Sequence, residues 1–297
     1  MATVLRERTR RPVAADPKRR PRNGRRRVRP NYLAGIGGFV WLGVIIIPIY
    51  YIVITSIGRQ SDFYTGNPLL PSSNPTLDSY RAVLDNDFLL YLGNSVVVTV
   101  ASVVVTVGVS LMAAYAIVRS RARMVRLTFS LFLLGLAIPL QATIIPLYYM
   151  IGQAHLYDTL LALILPSIAF AIPITVLILV NFIRDIPAEL FESMRVDGAS
   201  HWRLFISLVV PLSRPAITTV TLYNALNVWN GFLFPLVLTQ SADKRVLPLS
   251  LWTFQGQFSI NVPAILAAVV LSTLPIFVLY VLGRRQLVAG LTAGFGK

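Results

Sequence analysis

The sequence contains no cysteine, only two histidines, and charged residues at 13% of its 297 positions. The lack of cysteine excludes disulfides and thiolate metal sites, because both need the sulfur of that residue. Soluble domains have roughly 25% charged residues. A share this low, in a chain that is 55% hydrophobic, indicates that lipid is the solvent for much of the protein.

Six long apolar runs contain no Asp, Glu, Lys, Arg or His. Each is long enough for the ~20 residues that a membrane-spanning helix needs, so the sequence predicts an all-α, polytopic membrane protein. Pro139 and Pro146 in the third run and Pro166 and Pro173 in the fourth predict kinks, which membrane helices tolerate. The predicted spans are 34–56, 95–118, 127–150, 160–183, 216–238 and 263–282.

The positive charges predict the orientation of these spans. All but four of the 27 lysines and arginines fall in the head, the tail and alternate loops, which face the cytoplasm if the N-terminus is inside. Cytoplasmic loops carry this excess of basic residues, so both termini are predicted inside. The remaining four, in the outer loops, are Arg59, Arg81, Lys244 and Arg245.

The head, residues 1–30, is basic, rich in proline and almost free of apolar residues, which predicts a disordered cytoplasmic segment. We interpret it as a topology anchor for the first helix of the apolar part, 31–297. Contact with anionic lipid or nucleic acid is the alternative, and no nucleic-acid partner is assigned to the chain.

Secondary carriers and catalytic proteins are both disfavoured. Carriers usually have an ionisable group within the membrane to couple ion and solute movement, and these runs have none. His155 and His201 lie in loops predicted on opposite sides, so they cannot form a two-histidine metal site. The tail 290–297 departs in spacing from a phosphate-binding loop. We predict a non-catalytic chain that binds no metal or cofactor itself.

Two polar patterns mark faces of the spans. Small residues in the second run recur every four positions, which suits close packing against a helix of this chain or of a sister subunit; they are Ser102, Thr106, Ser110 and Ala114. In the fifth run, an amide-rich face is costly in hydrocarbon unless it is paired. It lines a translocation path or forms hydrogen bonds between helices, and consists of Tyr223, Asn224, Asn227 and Asn230.

The charged segment 184–215 separates the fourth and fifth runs and predicts a helix–turn–helix on the cytoplasmic side. Pro187 suits the first turn of a helix, with Asp185 or Ile186 at its cap. Residues 188–196 contain no helix breaker, and acidic residues in the early turns oppose the helix dipole favourably.

Beyond this helix, Gly198 is predicted to end it in the left-handed conformation, and Ser200 to cap a second helix that runs toward Pro211. The balanced charges favour protein docking over an ordinary interfacial helix, which would be richer in lysine and arginine. The predicted apolar contact surface is Leu190, Met194, Trp202, Phe205 and Ile206.

Residues 188–199 resemble the EAA loop of permease subunits in ABC importers, with Ser193 and Met194 where the family usually has two alanines. The resemblance continues through 211–215. Residues 229–235 and 286–294 resemble the second permease of sugar importers of the maltose type. The likeness implies that this loop couples the chain to an ATPase through Glu189, Glu192, Ser193, Met194, Asp197, Gly198 and Ala199.

The resemblance also implies the partners of the chain. They are a homologous second permease, a cytoplasmic ATPase dimer that uses ATP and Mg, an extracytoplasmic solute-binding protein and a sugar substrate, assembled in the inner membrane of a prokaryotic cell. Two alternatives remain open. One is a secondary carrier or channel that works without an ATPase; the other is a structural membrane adaptor.

Overall fold

The computed structural model describes residues 32–67, 69–120, 122–254 and 260–293. The predicted disordered head, 1–30, and residue 294, the last of the motif 286–294, lie outside the described residues. The chain divides into two units, 1–47 and 48–297. The helices are α1 (Tyr32–Ser56), α2 (Gln60–Thr65), α3 (Asp78–Leu84), α4 (Phe88–Arg119), α5 (Arg123–Gly135), α6 (Ile144–Gln153), α7 (Leu161–Arg184), α8 (Ala188–Val196), α9 (His201–Leu204), α10 (Val210–Leu212), α11 (Arg214–Trp229), α12 (Leu233–Leu238), α13 (Leu247–Ser250) and α14 (Val262–Ala293).

Four helices of the described residues are long and apolar enough to cross a membrane, namely α1, α4, α7 and α14. The segments 123–153 and 201–229 also qualify if each bent helix pair counts as one span. The prediction of an all-helical, multi-pass protein is therefore confirmed. The predicted fifth span, 216–238, is interrupted, because α11 ends at Trp229 and α12 begins at Leu233.

The third predicted span bends sharply. Its two halves, 123–135 and 140–153, meet at 97°. Pro139 has an extended backbone there, and a proline disfavours the helical conformation of the residue before it. Gly135 permits the close approach of α5 to α7, since a Cβ at this position would lie 3.1 Å from Cγ of Pro173. By contrast, α7 continues through both of its prolines.

The main core lies where α4 packs along α7, the most extensive helix pair in the structure. The small-residue face of α4 is fully buried, and Ala114 packs with Val176, Leu179 and Val180 of α7. Small side chains let the two backbones approach closely. The structure confirms packing within this chain as the role of the stripe.

The loop 239–246 follows α12 and is held by hydrogen bonds near the N-terminal end of α7. Asp158, which precedes α7, accepts hydrogen bonds from the backbone N–H groups of Gln240 (2.8 Å) and Ser241 (3.0 Å) and from the Ser241 hydroxyl. Asn94 of α4 donates to two carbonyls of the same loop, at 2.9 and 2.8 Å. These bonds connect α4, α7 and α12 at one end of the bundle.

Asp158→Asn should speed amide hydrogen exchange at Gln240 and Ser241 about fivefold at pH 7, because a charged acceptor forms the stronger hydrogen bond by roughly 1 kcal/mol. The bonds from Ser241 and Gln240 lower the pKa of Asp158. A depressed pKa stabilises the folded state above the unfolded value, about 3.9, and this stabilisation is lost as the pH falls through the folded pKa.

Exchange at these amides, corrected for its intrinsic rate, should therefore rise on acidification below about pH 4 in the native chain and stay flat in the variant. Asp85→Asn changes an exposed aspartate elsewhere and serves as the control. Equal pH profiles for the native chain and Asp158→Asn would contradict the role given to this carboxylate.

Candidate coupling segment and translocation cavity

The first helix of the segment, α8, has the predicted limits and ends at a glycine. Gly198 has φ +76°. Its N–H bonds to the carbonyl of Arg195 at 3.0 Å, and the N–H of Ala199 bonds to that of Met194 at 2.9 Å. This pair of bonds is the Schellman motif, which satisfies the last carbonyls of a helix. The start differs from the prediction, because Pro187 is itself the extended N-cap.

The second helix starts as the sequence predicts. The hydroxyl of Ser200 accepts a hydrogen bond from the N–H of Arg203 at 3.3 Å, which caps α9. A π-helical turn, 205–209, carries the chain from α9 into α10. Arg195 of α8 donates to Nε2 of His201 at 3.1 Å, so the two helices are also joined across the turn.

The α8 helix is anchored by Phe191, whose side chain is 1% exposed. Its ring packs in the main core, and the guanidinium of Arg119, at the end of α4, lies 4.5 Å from the ring centroid. Burial of an aromatic ring and a cation–π contact both hold the helix to the bundle. Neither anchoring residue was predicted from the sequence, in which the uninterrupted apolar pair at 190–191 is the available signal.

The opposite side of the segment is largely exposed to solvent. Glu189, Glu192, Ser193, Asp197 and Gly198 are exposed, and Met194 and Ala199 are half-buried. Of the predicted apolar surface, Leu190, Trp202 and Ile206 are exposed. The structure thus places the seven predicted coupling residues together, on or beside an accessible face that combines carboxylates with apolar side chains.

Phe205 is a correction to the predicted contact surface. It is buried, packs in the main core and stacks against Trp202 with ring centroids 5.5 Å apart. The π-helical turn begins at this residue and directs its side chain inward. Phe205 therefore holds the second helix to the bundle and is not available to a partner.

A cavity of about 400 Å³ lies among α4, α7, α11 and α12. Three of the four residues predicted for a translocation path line it, namely Tyr223, Asn224 and Asn227, and Asn230 does not. The complete lining is Ser95, Val98, Leu140, Leu163, Ser167, Phe170, Ala171, Ile174, Tyr223, Asn224, Asn227, Val228, Trp229, Gly231, Phe232, Leu233, Phe234, Pro235 and Val246.

The amides of α11 are held by hydrogen bonds. Asn224, 2% exposed, donates to the hydroxyl of Thr175 on α7 at 2.9 Å, so it forms the predicted bond between helices while also lining the cavity. Asn227 donates to the carbonyl of Tyr223 at 2.8 Å. Asn230 follows the last residue of α11 and donates back to the carbonyl of Leu226. No cluster of metal-ligating side chains occurs in the described ranges.

The architecture and the segment define a class of membrane transport protein, and comparison with known proteins agrees. The family described as "Binding-protein-dependent transport system inner membrane component" matches residues 106–289, a range that includes α8 and most of the cavity. The chain belongs to this family of ABC importer permeases. Its members are non-catalytic membrane components, which confirms the resemblance and the prediction that the chain is not an enzyme.

Among full-length relatives, a protein of Caldicellulosiruptor sp. named as an ABC transporter permease, ORF2, is 40% identical and covers 87% of this chain and 94% of its own length. The trehalose transport system permease protein SugB of Mycobacterium tuberculosis is 32% identical, with 91% and 98% covered. The trehalose/maltose transport system permease protein MalG of Thermococcus litoralis is 30% identical, again with 91% and 98% covered.

The fold is also found in a crystal structure of a bacterial ABC transporter involved in the import of the acidic polysaccharide alginate. The two chains are 23% identical and superpose with a TM-score of 0.74, over 86% of this chain and 97% of the other. This similarity shows that the two chains share a fold.

Proposed function

We propose that this chain is the permease subunit of an ATP-driven importer for a carbohydrate, forming the translocation path together with a homologous permease. A cytoplasmic ATPase dimer docks on the exposed face of α8 that carries the predicted coupling residues. An extracytoplasmic binding protein delivers the sugar to the opposite side of the inner membrane. The observation that carries the proposal is the family match across α8, and the sugar systems of its relatives support the substrate class.

In this proposal, the protein crosses the membrane six times with both termini inside, and the fifth crossing combines α11 with α12. The basic residues of the inner segments support this orientation. Force reaches the bundle through α8, because Phe191 and Arg119 connect that helix to α4. A rigidly anchored helix transmits the displacement of its docking partner to the walls of the cavity.

The proposal is tested by reconstitution into proteoliposomes. The chain assembled with its sister permease, ATPases and binding protein should take up labelled trehalose or maltose only when ATP is present on the ATPase side. The chain alone should be inactive. Uptake by the chain alone would instead support the secondary carrier or channel. Disulfide cross-linking from cysteines at 192 and 197 should reach the ATPase, and cross-linking only to external proteins would contradict the orientation.

Asn227→Leu should lower the rate of sugar uptake at limiting sugar concentration about threefold to tenfold, because a hydrogen bond to the solute contributes roughly 0.5–1.5 kcal/mol. Assembly should be unchanged, since the amide bonds only within its own helix. Asn230→Leu is the matched control, because Asn230 makes the same kind of bond outside the cavity. Equal uptake kinetics for the two variants would show that this face serves helix packing alone.

A further inference from the structure

The α5 helix has one face inside the protein and one exposed apolar face. Phe129 and Phe132 pack against the main core, and Gly135 lies close to Pro173 of α7. The residues of the exposed face are three or four positions apart, a spacing that puts them on one side of a helix. Each of them is between 54% and 71% exposed, and they are Met124, Leu127, Leu131 and Leu134. An apolar stripe of this kind on a membrane protein is suited to contact with acyl chains.

Three exposed arginines lie at the end of the bundle where α5 begins. Arg123 and Arg126 are in the first turn of α5. Arg184 is the last residue of α7, and its guanidinium lies 5.5 Å from the ring centroid of Phe129, one turn after Arg126. Because α5 contacts Arg184 near its middle and Pro173 near its end, the two helices run in opposite directions. The start of α5 and the end of α7 therefore lie side by side.

The positive charge at this end is not balanced by the protein. Both ion pairs between described residues lie in the predicted outer loops, so Arg123 and Arg126 form none within the described part of the chain. The first turn of α5 has no acidic residue, and its N-cap makes no side-chain hydrogen bond. Cations at the start of a helix are unfavourable to the helix dipole. The two helix ends, 119–126 and 183–186, contain five arginines and one aspartate, which makes them a surface for an anion.

An anionic phospholipid matches both parts of this surface in one molecule. Its acyl chains suit the apolar stripe, and its phosphate and charged headgroup suit the arginines, which bind phosphate through charge-assisted hydrogen bonds. Arginine stems can lie along apolar surface while the guanidinium reaches the polar layer of a membrane. The segment 123–153 qualifies as a membrane span if the bent pair counts as one. In the proposed orientation, the arginines at its start lie at the inner leaflet, where basic residues attract anionic lipids.

From this combination of charge and apolar surface, we infer that the start of α5 and the end of α7 form a binding site for an anionic phospholipid. The headgroup is bound by Arg123, Arg126 and Arg184, and an acyl chain lies along Leu127 and Leu131. The inference uses the membrane crossing of the proposed function but not the identity of the transported solute. A bound anionic lipid would offset the charges in the first turn of α5 and hold that end of the helix beside α7.

The absence of cysteine from the sequence allows a fluorophore to be attached at one chosen position. Met124→Cys places it beside the arginines. Met150→Cys places it near the other end of the same bent segment and is the matched control, since Met150 is 67% exposed and Met124 is 71% exposed. The complete transporter, with cysteine-free partner subunits, is reconstituted into phosphatidylcholine vesicles. Quenching is measured with phosphatidylglycerol or phosphatidylcholine that carries a nitroxide close to the headgroup.

At Met124→Cys, phosphatidylglycerol should quench at a membrane fraction about fivefold or more below that of phosphatidylcholine, because several basic residues attract its headgroup. At Met150→Cys, the two lipids should quench equally. Equal quenching at both labels overturns the inference, and so does quenching by neither lipid at Met124→Cys, since a protein would then cover the stripe. ATP-driven sugar uptake by the unlabelled complex tests the proposed function separately. Its absence for every sugar, with the lipid preference present, would overturn the proposed function alone.

Paired substitutions test the cause of the preference. Adding Arg123→Gln and Arg126→Gln to Met124→Cys should reduce the preference to less than about twofold, because the headgroup loses two of its cations. The helix should stay folded, since the change removes charges that are unfavourable at its start. Arg195→Gln with Arg203→Gln removes the same charge from α8 and α9 and should leave the preference unchanged. An equal loss in the two pairs, or no loss in the first, would overturn the inference.

Discussion

Gly198→Val should reduce ATP-driven sugar uptake by about tenfold or more while the complex still assembles. Gly198 has φ +76°, where an ordinary L-residue loses about 1–2 kcal/mol and a β-branched residue is a genuine outlier. Collision of the new Cβ with surrounding residues does not contribute, because a Cβ at this position would have none of their atoms within 4 Å. The reduced uptake would come from the backbone, because valine disfavours the left-handed conformation and the hydrogen bonds that end α8 would then break. A change of 1.4 kcal/mol corresponds to a factor of ten.

Gly198→Asn is the matched control for this substitution. Asparagine also adds a side chain to the same open space, but it tolerates the left-handed conformation. Uptake should therefore remain within about twofold to threefold of the native rate. If valine were tolerated, or if asparagine were as harmful as valine, the left-handed turn would not be the property that coupling requires. Uptake and ATP hydrolysis measured on the same proteoliposomes distinguish uncoupling from loss of assembly.

Phe191→Ala should reduce uptake to the background rate. Removing a buried phenylalanine costs about 3–5 kcal/mol, and the contact with Arg119 contributes roughly another 0.5–2 kcal/mol. The helix α8 would lose its main attachment to the core while its exposed carboxylates stayed intact. We therefore expect a complex that still hydrolyses ATP but no longer moves sugar.

Leu190→Ala is the control on the same helix, because Leu190 is 40% exposed and lies outside the core. It should affect docking of the ATPase more than attachment of α8, and co-purification with the ATPase measures this difference. Arg119→Gln removes the cation and keeps the ring, so its effect should be intermediate between the native chain and Phe191→Ala. Normal uptake by Phe191→Ala, at normal levels in the membrane, would contradict the anchoring role.

The local structure of the coupling segment could be predicted because its determinants are adjacent in sequence. The limits of α8, the left-handed Gly198 and the Ser200 cap each depend on residues within one turn. The direction of Phe191 could not be predicted in this way. It depends on Arg119 and on the core between α4 and α7, which are distant in sequence, and both Leu190 and Phe191 suit an apolar contact equally well.

The membrane helices show the same contrast between features set by the local sequence and features set by distant contacts. Apolar length predicts α1, α4, α7 and α14, because burial in lipid selects for composition alone. The breaks depend on backbone geometry and neighbours. Asn230 shows the effect, since its spacing from Tyr223 and Asn227 predicts a shared face only while the helix continues. The helix ends at Trp229, and the side chain of Asn230 donates a hydrogen bond to the carbonyl of Leu226.

The hydrogen bonds of the loop 239–246 join three helices at one end of the bundle. They hold the ends of α4, α7 and α12 together, and those helices form three of the cavity walls. Bonds across these helix ends resist their separation. If the chain forms half of a translocation path as proposed, we expect α4, α7 and α12 to move together as one rigid body when that path opens.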